Sequence, residues 1–228
     1  MPATHARHGR KTDESERAFM RLSLASSLQL MSLVDLTLSK FCAELAAKSP
    51  TPGGGSQAAF LVASGASLVA MACRFSSGEK FAAVEVYMAG RAEELDALAA
   101  KALENVDADS QSYDAVSAAY KLAKATPEEK AARTAAIQKA LQGALELPLE
   151  TLQVAAAGLR LAAVAAPQAN KNLGSDLASG ALCLWAGLEA AWCNVAINAG
   201  GIADKAWLEP RMAAAAALRR EGEALRDE

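Results

Sequence analysis

The sequence predicts an all-α fold, a bundle of long antiparallel helices. Apolar residues recur with a helical period from Asp35 onward, and no alternating strand pattern of useful length occurs. Proline, glycine and asparagine cluster at a few points only, where helices are expected to end. The 228 residues suffice for a buried core. We expect one all-α domain over residues 32–228, preceded at residues 1–31 by a poorly ordered extension or tag.

Two helices are predicted on either side of a loop rich in proline and glycine. The first, Thr37–Lys48, has Thr37 as its cap and an apolar stripe along one side. The second, Ser56–Phe75, carries small residues every four positions, which allow a neighbouring backbone to approach closely. We expect this second helix at the centre of the bundle.

Four longer helical stretches follow. A fourth helix of the chain is expected to begin at Thr126 and Pro127, because threonine caps, proline suits the first turn and the next two residues are acidic. Pro148 predicts a kink in that helix. The stretches cover about residues 82–123, 127–165, 175–199 and 204–228.

Charge and cysteine content exclude several classes of protein. The net charge of −3 and the lack of any basic cluster interleaved with aromatic residues argue against nucleic-acid binding. The cysteines form no CxxC pair and lie in apolar helical stretches, as small buried residues of a reducing compartment do. We therefore expect no zinc site and a cytoplasmic location.

The high apolar content, 52%, raises the question of a membrane span. Nearly half of it is alanine. The strongest candidate, Ala58–Cys73, is shorter than the roughly 20 residues that a span needs, and it contains two serines and a glycine. The sequence thus predicts no membrane association.

Histidine content restricts the chemistry. The two histidines, His5 and His8, lie in the N-terminal extension, so a Ser-His-Asp or Cys-His arrangement within the domain is excluded. Any proton transfer must use Asp, Glu, Lys or Tyr. The glycine-rich loop lacks the Gly-Lys-Ser/Thr ending of a phosphate-binding loop. Nucleotide binding by the usual routes is therefore excluded.

The stretch Ser-Pro-Thr-Pro-Gly-Gly-Gly-Ser at 49–56 is the strongest local indication of a ligand site. Prolines stiffen its approach, glycines let a ligand touch backbone, and the following helix would present unpaired N–H groups. The alternative is a tight connection between two helices. The candidate binding residues here are Pro52, Gly53, Gly54, Gly55 and Ser56.

Two further polar segments interrupt apolar helices. Asn194 and Asn198 stand one helical turn apart, and their amides would have to be paired in a buried setting. They could equally bond to each other or to a neighbouring backbone. The other segment, at the start of the helical stretch predicted for residues 175–199, has more polar residues than capping alone explains. Its candidates are Asn170, Asn172, Ser175 and Asp176.

Asp107 and Asp109 occur near the middle of the long third helix. Their spacing sends them to nearly opposite faces, so they are not a pair that shares a proton. One is expected to face inward and one outward. From the residues alone, a solvated face is the simpler interpretation of Asp109.

Five segments occur in a characteristic order along the chain: Pro-Thr-Pro-Gly-Gly-Gly-Ser, Asp-Ala-Asp, Thr-Pro-Glu-Glu-Lys-Ala-Ala-Arg, Asn-Lys-Asn-Leu-Gly-Ser-Asp and Asn-Val-Ala-Ile-Asn. In that order and spacing they resemble the formimidoyltetrahydrofolate cyclodeaminase and methenyltetrahydrofolate cyclohydrolase family, over about Asp35–Trp207. The resemblance implies an all-α bundle that forms a homodimer.

The resemblance also implies roles for residues. Asp109 corresponds to the aspartate regarded as catalytic, which replaces the solvated-face interpretation. The glycine loop corresponds to the one that approaches the folate. Lys80 and Lys124 are candidates for contacts with the glutamate carboxylates of a substrate that can be polyglutamylated. Where the family often has Gly-Lys-Lys, this chain has Glu79 before Lys80.

Three functions remain open at this stage. The resemblance favours hydrolysis of methenyltetrahydrofolate to formyltetrahydrofolate, because no formiminotransferase segment accompanies the domain in this sequence. The second is a formimidoyltetrahydrofolate cyclodeaminase that releases ammonia. The third is a non-catalytic folate-binding or helical interaction protein.

Overall fold

The computed structural model describes residues 32–227, and the predicted extension with its two histidines lies outside them. Residues 32–227 are helical and contain no β-strand, as predicted. Short 3₁₀ turns precede or follow several helices. The helices are α1 Leu38–Leu45, α2 Gly54–Arg74, α3 Glu85–Lys121, α4 Pro127–Ala165, α5 Gly174–Ala199 and α6 Lys205–Asp227.

Helix α2 begins two residues earlier than the sequence predicts. Gly54 and Gly55 belong to its first turn, and Gly53 is the N-cap residue with an extended backbone. Glycine is a poor helix former, so propensity alone places the start at Ser56. The glycines are therefore part of a helix terminus and not of a free loop.

Helix α4 begins as predicted and runs through Pro148 without interruption. The Thr126 hydroxyl oxygen accepts a hydrogen bond from the Glu129 backbone N–H, and the Glu129 carboxylate accepts one from the Thr126 backbone N–H, which forms a capping box. Pro148 cannot donate to the carbonyl of Ala144 one turn earlier. The side chain of Asn198 on α5 donates to that carbonyl instead, at 2.7 Å.

The helices α2, α3, α4 and α5 form the body of the bundle, and α6 covers α4 and α5. Helices α2 and α5 run antiparallel and very close together. A Cβ on Gly65 would lie 2.7 Å from the Gly180 carbonyl oxygen, so small residues are required at this crossing. The small-residue pattern predicted for α2 thus has the expected packing role.

The main core is built largely from alanine with a few larger side chains. Met88, Leu95, Leu152, Leu184 and Leu188 are fully buried within it. Full burial of one such side chain stabilises the fold by about 1.5–3 kcal/mol. Because the alanines keep the helices close, side chains near the helix ends are brought into contact across the bundle.

Helix α2 defines two ends of the molecule, the Gly54 end and the Arg74 end. Its 21 residues span about 30 Å. Arg74 pairs with Asp96 at the Arg74 end, and Ser56 contacts Asp109 at the Gly54 end, so α3 runs antiparallel to α2. Residues from different helices can share a site only if they lie at the same end.

Within residues 32–227, three helical segments are long and apolar enough to cross a membrane by length and composition. They are Gly54–Arg74, Pro127–Gln168 and Lys171–Ala199. The length argument made for Ala58–Cys73 is therefore wrong, because the helix that contains it has 21 residues. The apolar window of Gly54–Arg74 is 61% buried in the bundle, whereas that of Lys171–Ala199 is only 33% buried.

Candidate functional site

The carboxylate of Asp109 lies against the first turn of α2. Its Oδ2 accepts two hydrogen bonds from Ser56, one from the backbone N–H and one from the hydroxyl, each at 2.9 Å. Ser56 is fully buried and Asp109 is half-buried. A carboxylate at a helix N-terminus is favoured by the unpaired N–H groups and by the helix dipole. Asp109 therefore faces inward, as the family resemblance implied.

Gly55 allows this approach. A Cβ at this position would lie 2.0 Å from Asp109 Oδ1, a separation that no side chain tolerates. The glycine that sequence analysis assigned to ligand contact thus makes room for the Asp109 carboxylate itself. It also leaves Oδ1 directly over the backbone of α2.

The two oxygens of Asp109 have different surroundings. Oδ2 is held by Ser56, whereas no hydrogen bond within residues 32–227 uses Oδ1. The side chain lines a narrow crevice. The crevice is otherwise lined by Gly55, Ala58, Asn105, Leu147, Pro148, Thr151 and Ala191. It offers one fixed carboxylate with one free oxygen among mostly apolar walls.

Asn105 and Thr151 are crevice residues that sequence analysis missed. They are 2% and 3% exposed. Asn105 Nδ2 donates to Thr151 Oγ1 at 3.2 Å, and that hydroxyl donates to the Leu147 carbonyl at 3.2 Å. The sequence contains one indication of the role of Asn105: it stands four residues before Asp109 and therefore lies on the same helix face. Thr151 gives no such signal.

Asn194 and Asn198 both lie at the Gly54 end, as predicted. The Asn194 amide lies beside Gly54, where a Cβ would be 3.3 Å from Nδ2, and this nitrogen donates to the Ala190 carbonyl. Asn198 donates to Ala144. Both amide nitrogens thus have backbone partners, which is the alternative left open by the sequence. Ligand roles for these residues remain predictions.

The second polar segment lies at the opposite end of α2, about 30 Å from Asp109. Asn170 receives a hydrogen bond from Asn172 N–H, donates from its own N–H to Ser76 Oγ at 2.8 Å, and donates from Nδ2 to the Phe75 carbonyl. Phe75 and Ser76 directly follow α2. This segment therefore does not meet Asp109 within one chain. Ser175, Asp176 and Lys80 lie at this Arg74 end as well.

Lys124 and Asp107 lie apart from the crevice. Lys124 is exposed in the connection between α3 and α4, more than three helical turns beyond Asp109 along the chain. Asp107 accepts hydrogen bonds from the hydroxyl of Ser32 and, at 2.5 Å, from the backbone N–H of Leu33. The prediction that one of the two aspartates faces outward is wrong, because both carboxylates accept hydrogen bonds from other parts of the chain.

The part of the chain that the structure describes contains no cluster of three or more His, Cys, Asp or Glu side chains that could hold a metal ion. The arrangement around Asp109 instead suits proton transfer. A carboxylate whose one oxygen is fixed can accept and return a proton through the other. A positive charge in the crevice would also be stabilised by it.

Comparison with known proteins identifies the protein family of this chain. Residues 37–217 match the family model of the formiminotransferase-cyclodeaminase proteins. Methenyltetrahydrofolate cyclohydrolase of Methylorubrum extorquens is 38% identical over 192 residues, which is 84% of this chain and 92% of that protein.

Further similarity extends to longer proteins and to a solved structure. Formimidoyltransferase-cyclodeaminase of Rattus norvegicus is 34% identical over 78% of this chain, and the matched region is 33% of the rat protein. The crystal structure of formiminotetrahydrofolate cyclodeaminase from Thermotoga maritima superimposes with a TM-score of 0.71, at 25% identity, over 86% of this chain and 98% of that one.

Proposed function

The chain belongs to the formiminotransferase-cyclodeaminase family, and from this premise we propose that it hydrolyses methenyltetrahydrofolate to formyltetrahydrofolate. The similarity to the Methylorubrum cyclohydrolase covers nearly the whole of that protein, which favours this reaction. The observation that carries the proposal is the Asp109 carboxylate, fixed by Ser56 through Oδ2 and left unbonded at Oδ1.

The reaction needs one group that moves a proton twice. Water adds to the cationic carbon between the pterin-ring nitrogen and the aniline nitrogen, and Asp109 Oδ1 takes a proton from that water. The tetrahedral carbon then loses its bond to the ring nitrogen, which receives the proton from Asp109. The remaining hydroxyl proton leaves to solvent as the formyl C=O forms, so one proton is released in total.

The charge of the site suits the charge of the substrate. The methenyl bridge is cationic, and the crevice holds an aspartate with no cation bonded to it among the described residues. An anion fixed in a partly buried site stabilises such a bridge without rearranging. We propose that the reaction proceeds in the cytoplasm without metal or organic cofactor, and that neither nucleic acid nor membrane is a partner.

A cyclodeaminase is the second candidate. In that reaction the aniline nitrogen attacks a formimino carbon and ammonia leaves, and the same carboxylate could take and return the proton. The fold similarity to the Thermotoga cyclodeaminase and the match to the rat enzyme favour it. A non-catalytic folate-binding role is the third, and the inward position of Asp109 argues against it.

We also propose a homodimer that covers the outer face of α5. Helix α5 carries exposed apolar side chains, among them Leu182, 57% exposed, and Ile197, 75% exposed. Only a third of its apolar stretch is buried within one chain. Such a surface is expected to be covered by a partner, and two-fold symmetry is the commonest solution.

A two-fold dimer across α5 would bring opposite ends of two copies together. With the axis perpendicular to α5, the Asn170 segment of one copy approaches the Gly54 end of the other. This would explain why the predicted binding residues divide between two ends. The crevice at Asp109 within one chain is also too narrow to enclose a folate, so further walls are needed.

The test is the loss of methenyltetrahydrofolate absorbance on addition of the protein, with formimidoyltetrahydrofolate assayed in parallel. Asp109→Asn should lower the rate of hydrolysis by about 10²–10⁴-fold, the usual contribution of general acid–base catalysis. Asp107→Asn is the matched control and should keep most of the activity, because Asp107 bonds Ser32 and Leu33 instead.

Each outcome distinguishes the candidates. Gain of absorbance from the formimidoyl compound alone would establish the cyclodeaminase. A wild-type protein inactive on both compounds, or an Asp109→Asn protein as active as wild type, would contradict the proposed reaction through Asp109.

A further inference from the structure

The crevice holds a second free oxygen besides Asp109 Oδ1. Asn105 lies one turn before Asp109 on α3 and lines the same crevice. Its side chain is 2% exposed, yet no hydrogen bond in the described part of the chain uses its Oδ1. An acceptor oxygen without a protein partner, on a nearly buried residue that lines the crevice beside the site carboxylate, is available to a hydrogen-bond donor of a bound ligand.

The hydrogen-bond network assigns the orientation of this amide. Thr151 gives its single hydroxyl proton to the Leu147 carbonyl, so at Asn105 the hydroxyl oxygen can only accept. Asn105 must therefore present Nδ2 to Thr151. In this arrangement its carbonyl oxygen is left as an acceptor.

We infer that Asn105 is a substrate-positioning residue whose Oδ1 accepts a hydrogen bond from an N–H group of the bound tetrahydropterin ring. The inference rests on the proposed function and deepens it. Two acceptor oxygens on one helix face, from Asn105 and Asp109, match a ligand that carries N–H donors and a positive charge. Thr151 acts through Asn105 by holding its amide.

The role predicts a particular kinetic signature. A contact with a ring N–H that does not change during the reaction stabilises the bound substrate and the transition state equally, so its loss raises KM and leaves kcat nearly unchanged. Loss of the proton-transfer group at Asp109 should instead lower kcat and leave KM nearly unchanged. A purely structural Asn105–Thr151 pair predicts changes in stability with no change in KM.

The experiment compares Asn105→Leu/Thr151→Val with wild type. Replacing both partners by apolar groups of similar shape leaves no buried polar atom unpaired, so the fold should be retained. We expect KM for methenyltetrahydrofolate to rise about 10- to 100-fold, the usual effect of losing a buried hydrogen bond, with kcat within about threefold. Thr134→Val is the matched control, because its hydroxyl makes the same bond to the carbonyl four residues earlier on α4 but is exposed.

The outcomes separate this inference from the proposed function. If the wild type is active and the double variant keeps the wild-type KM, Asn105 does not position the substrate. That result contradicts this inference and leaves the proposed function in place. A wild type inactive on both folate compounds overturns the proposed function and the inference with it. If circular dichroism shows that the double variant is unfolded, Thr151→Val alone is decisive: a severalfold rise in KM supports the inference, and an unchanged KM overturns it.

Discussion

The side-chain amide of Asn198 donates to the main-chain carbonyl of Ala144 at 2.7 Å. That carbonyl would otherwise lack its helical partner, because Pro148, four residues later, has no N–H. Helix α5 thus supplies the hydrogen bond that α4 cannot make for itself. The proline is tolerated in the helix interior for this reason.

This relationship predicts an energetic coupling between Asn198 and Pro148. Asn198→Ala should lower the free energy of unfolding by about 1–3 kcal/mol, since it leaves a carbonyl unpaired. In a Pro148→Ala background the new N–H can pair with Ala144, and the same change should cost much less. A double-mutant cycle measured by urea unfolding checks this, and additive effects would mean that the two residues are independent.

Gly55→Ala should disable the site while leaving the helices intact. The new Cβ would lie 2.0 Å from Asp109 Oδ1, so the carboxylate must move away from Ser56. We expect at least a 100-fold loss of activity, because a displacement of about 1 Å can cost that much. Gly143→Ala on α4 is the control, since nothing lies within 4 Å of its Cβ and the change should favour the helix. Full activity of Gly55→Ala would refute the assigned position of Asp109.

The ion pair between Arg160 and Glu221 should make stability depend on acid pH. Two short contacts, 2.5 and 2.6 Å, join α4 to α6, and the guanidinium lowers the pKa of the Glu221 carboxyl. A lowered folded-state pKa stabilises the fold above the ordinary pKa of glutamate, and the effect is lost as the pH falls through the folded-state value.

Both partners are partly exposed, so the contribution is only about 0.2–1 kcal/mol near pH 7. Glu221→Gln should therefore be less stable than wild type at pH 7 in low salt, and the difference should be smaller at pH 3, because the Glu221 carboxylate takes up a proton as the pH falls. Urea unfolding at the two pH values is the measurement. An equal difference at both would show that the pair acts through packing alone.

Leu182→Glu/Ile197→Glu should convert the proposed homodimer to monomer. Two carboxylates on the outer face of α5 would have to be buried without partners in the dimer. Sedimentation should give about twice the 23.6 kDa chain mass for wild type and the chain mass for the variant. Leu103→Glu, at an exposed apolar residue of α3, is the control. A monomeric wild type would contradict the dimer.

Helix content and several helix ends follow from local physics and were predictable. The capping box at Thr126 involves only residues within four consecutive positions, so it can be predicted from the local sequence. The start of α2 was not predictable in this way, because Gly54 and Gly55 lie against Asn194 and Asp109, which are distant in sequence. Tertiary contacts override the low propensity of glycine there.

The site was predictable in part. The inward position of Asp109 followed from the family resemblance, whereas its residue pattern alone favoured solvent. Asn105 and Thr151 look like ordinary helix polar residues until α3 and α4 are paired and bury them. The order of segments along the chain also could not show that Asn170 lies about 30 Å from Asp109, because sequence order does not tell which end of a helix a turn occupies.

The bond from Ser56 to Asp109 joins residues 53 positions apart on different helices. Neither helix can create the acid–base group by forming alone, since the carboxylate becomes fixed only when α2 and α3 dock. Catalytic activity therefore indicates that α2 and α3 are packed together. A chain that kept its helical circular dichroism in mild denaturant but had lost this docking would be catalytically silent, so recovery of activity during refolding should mark the moment at which the two helices meet.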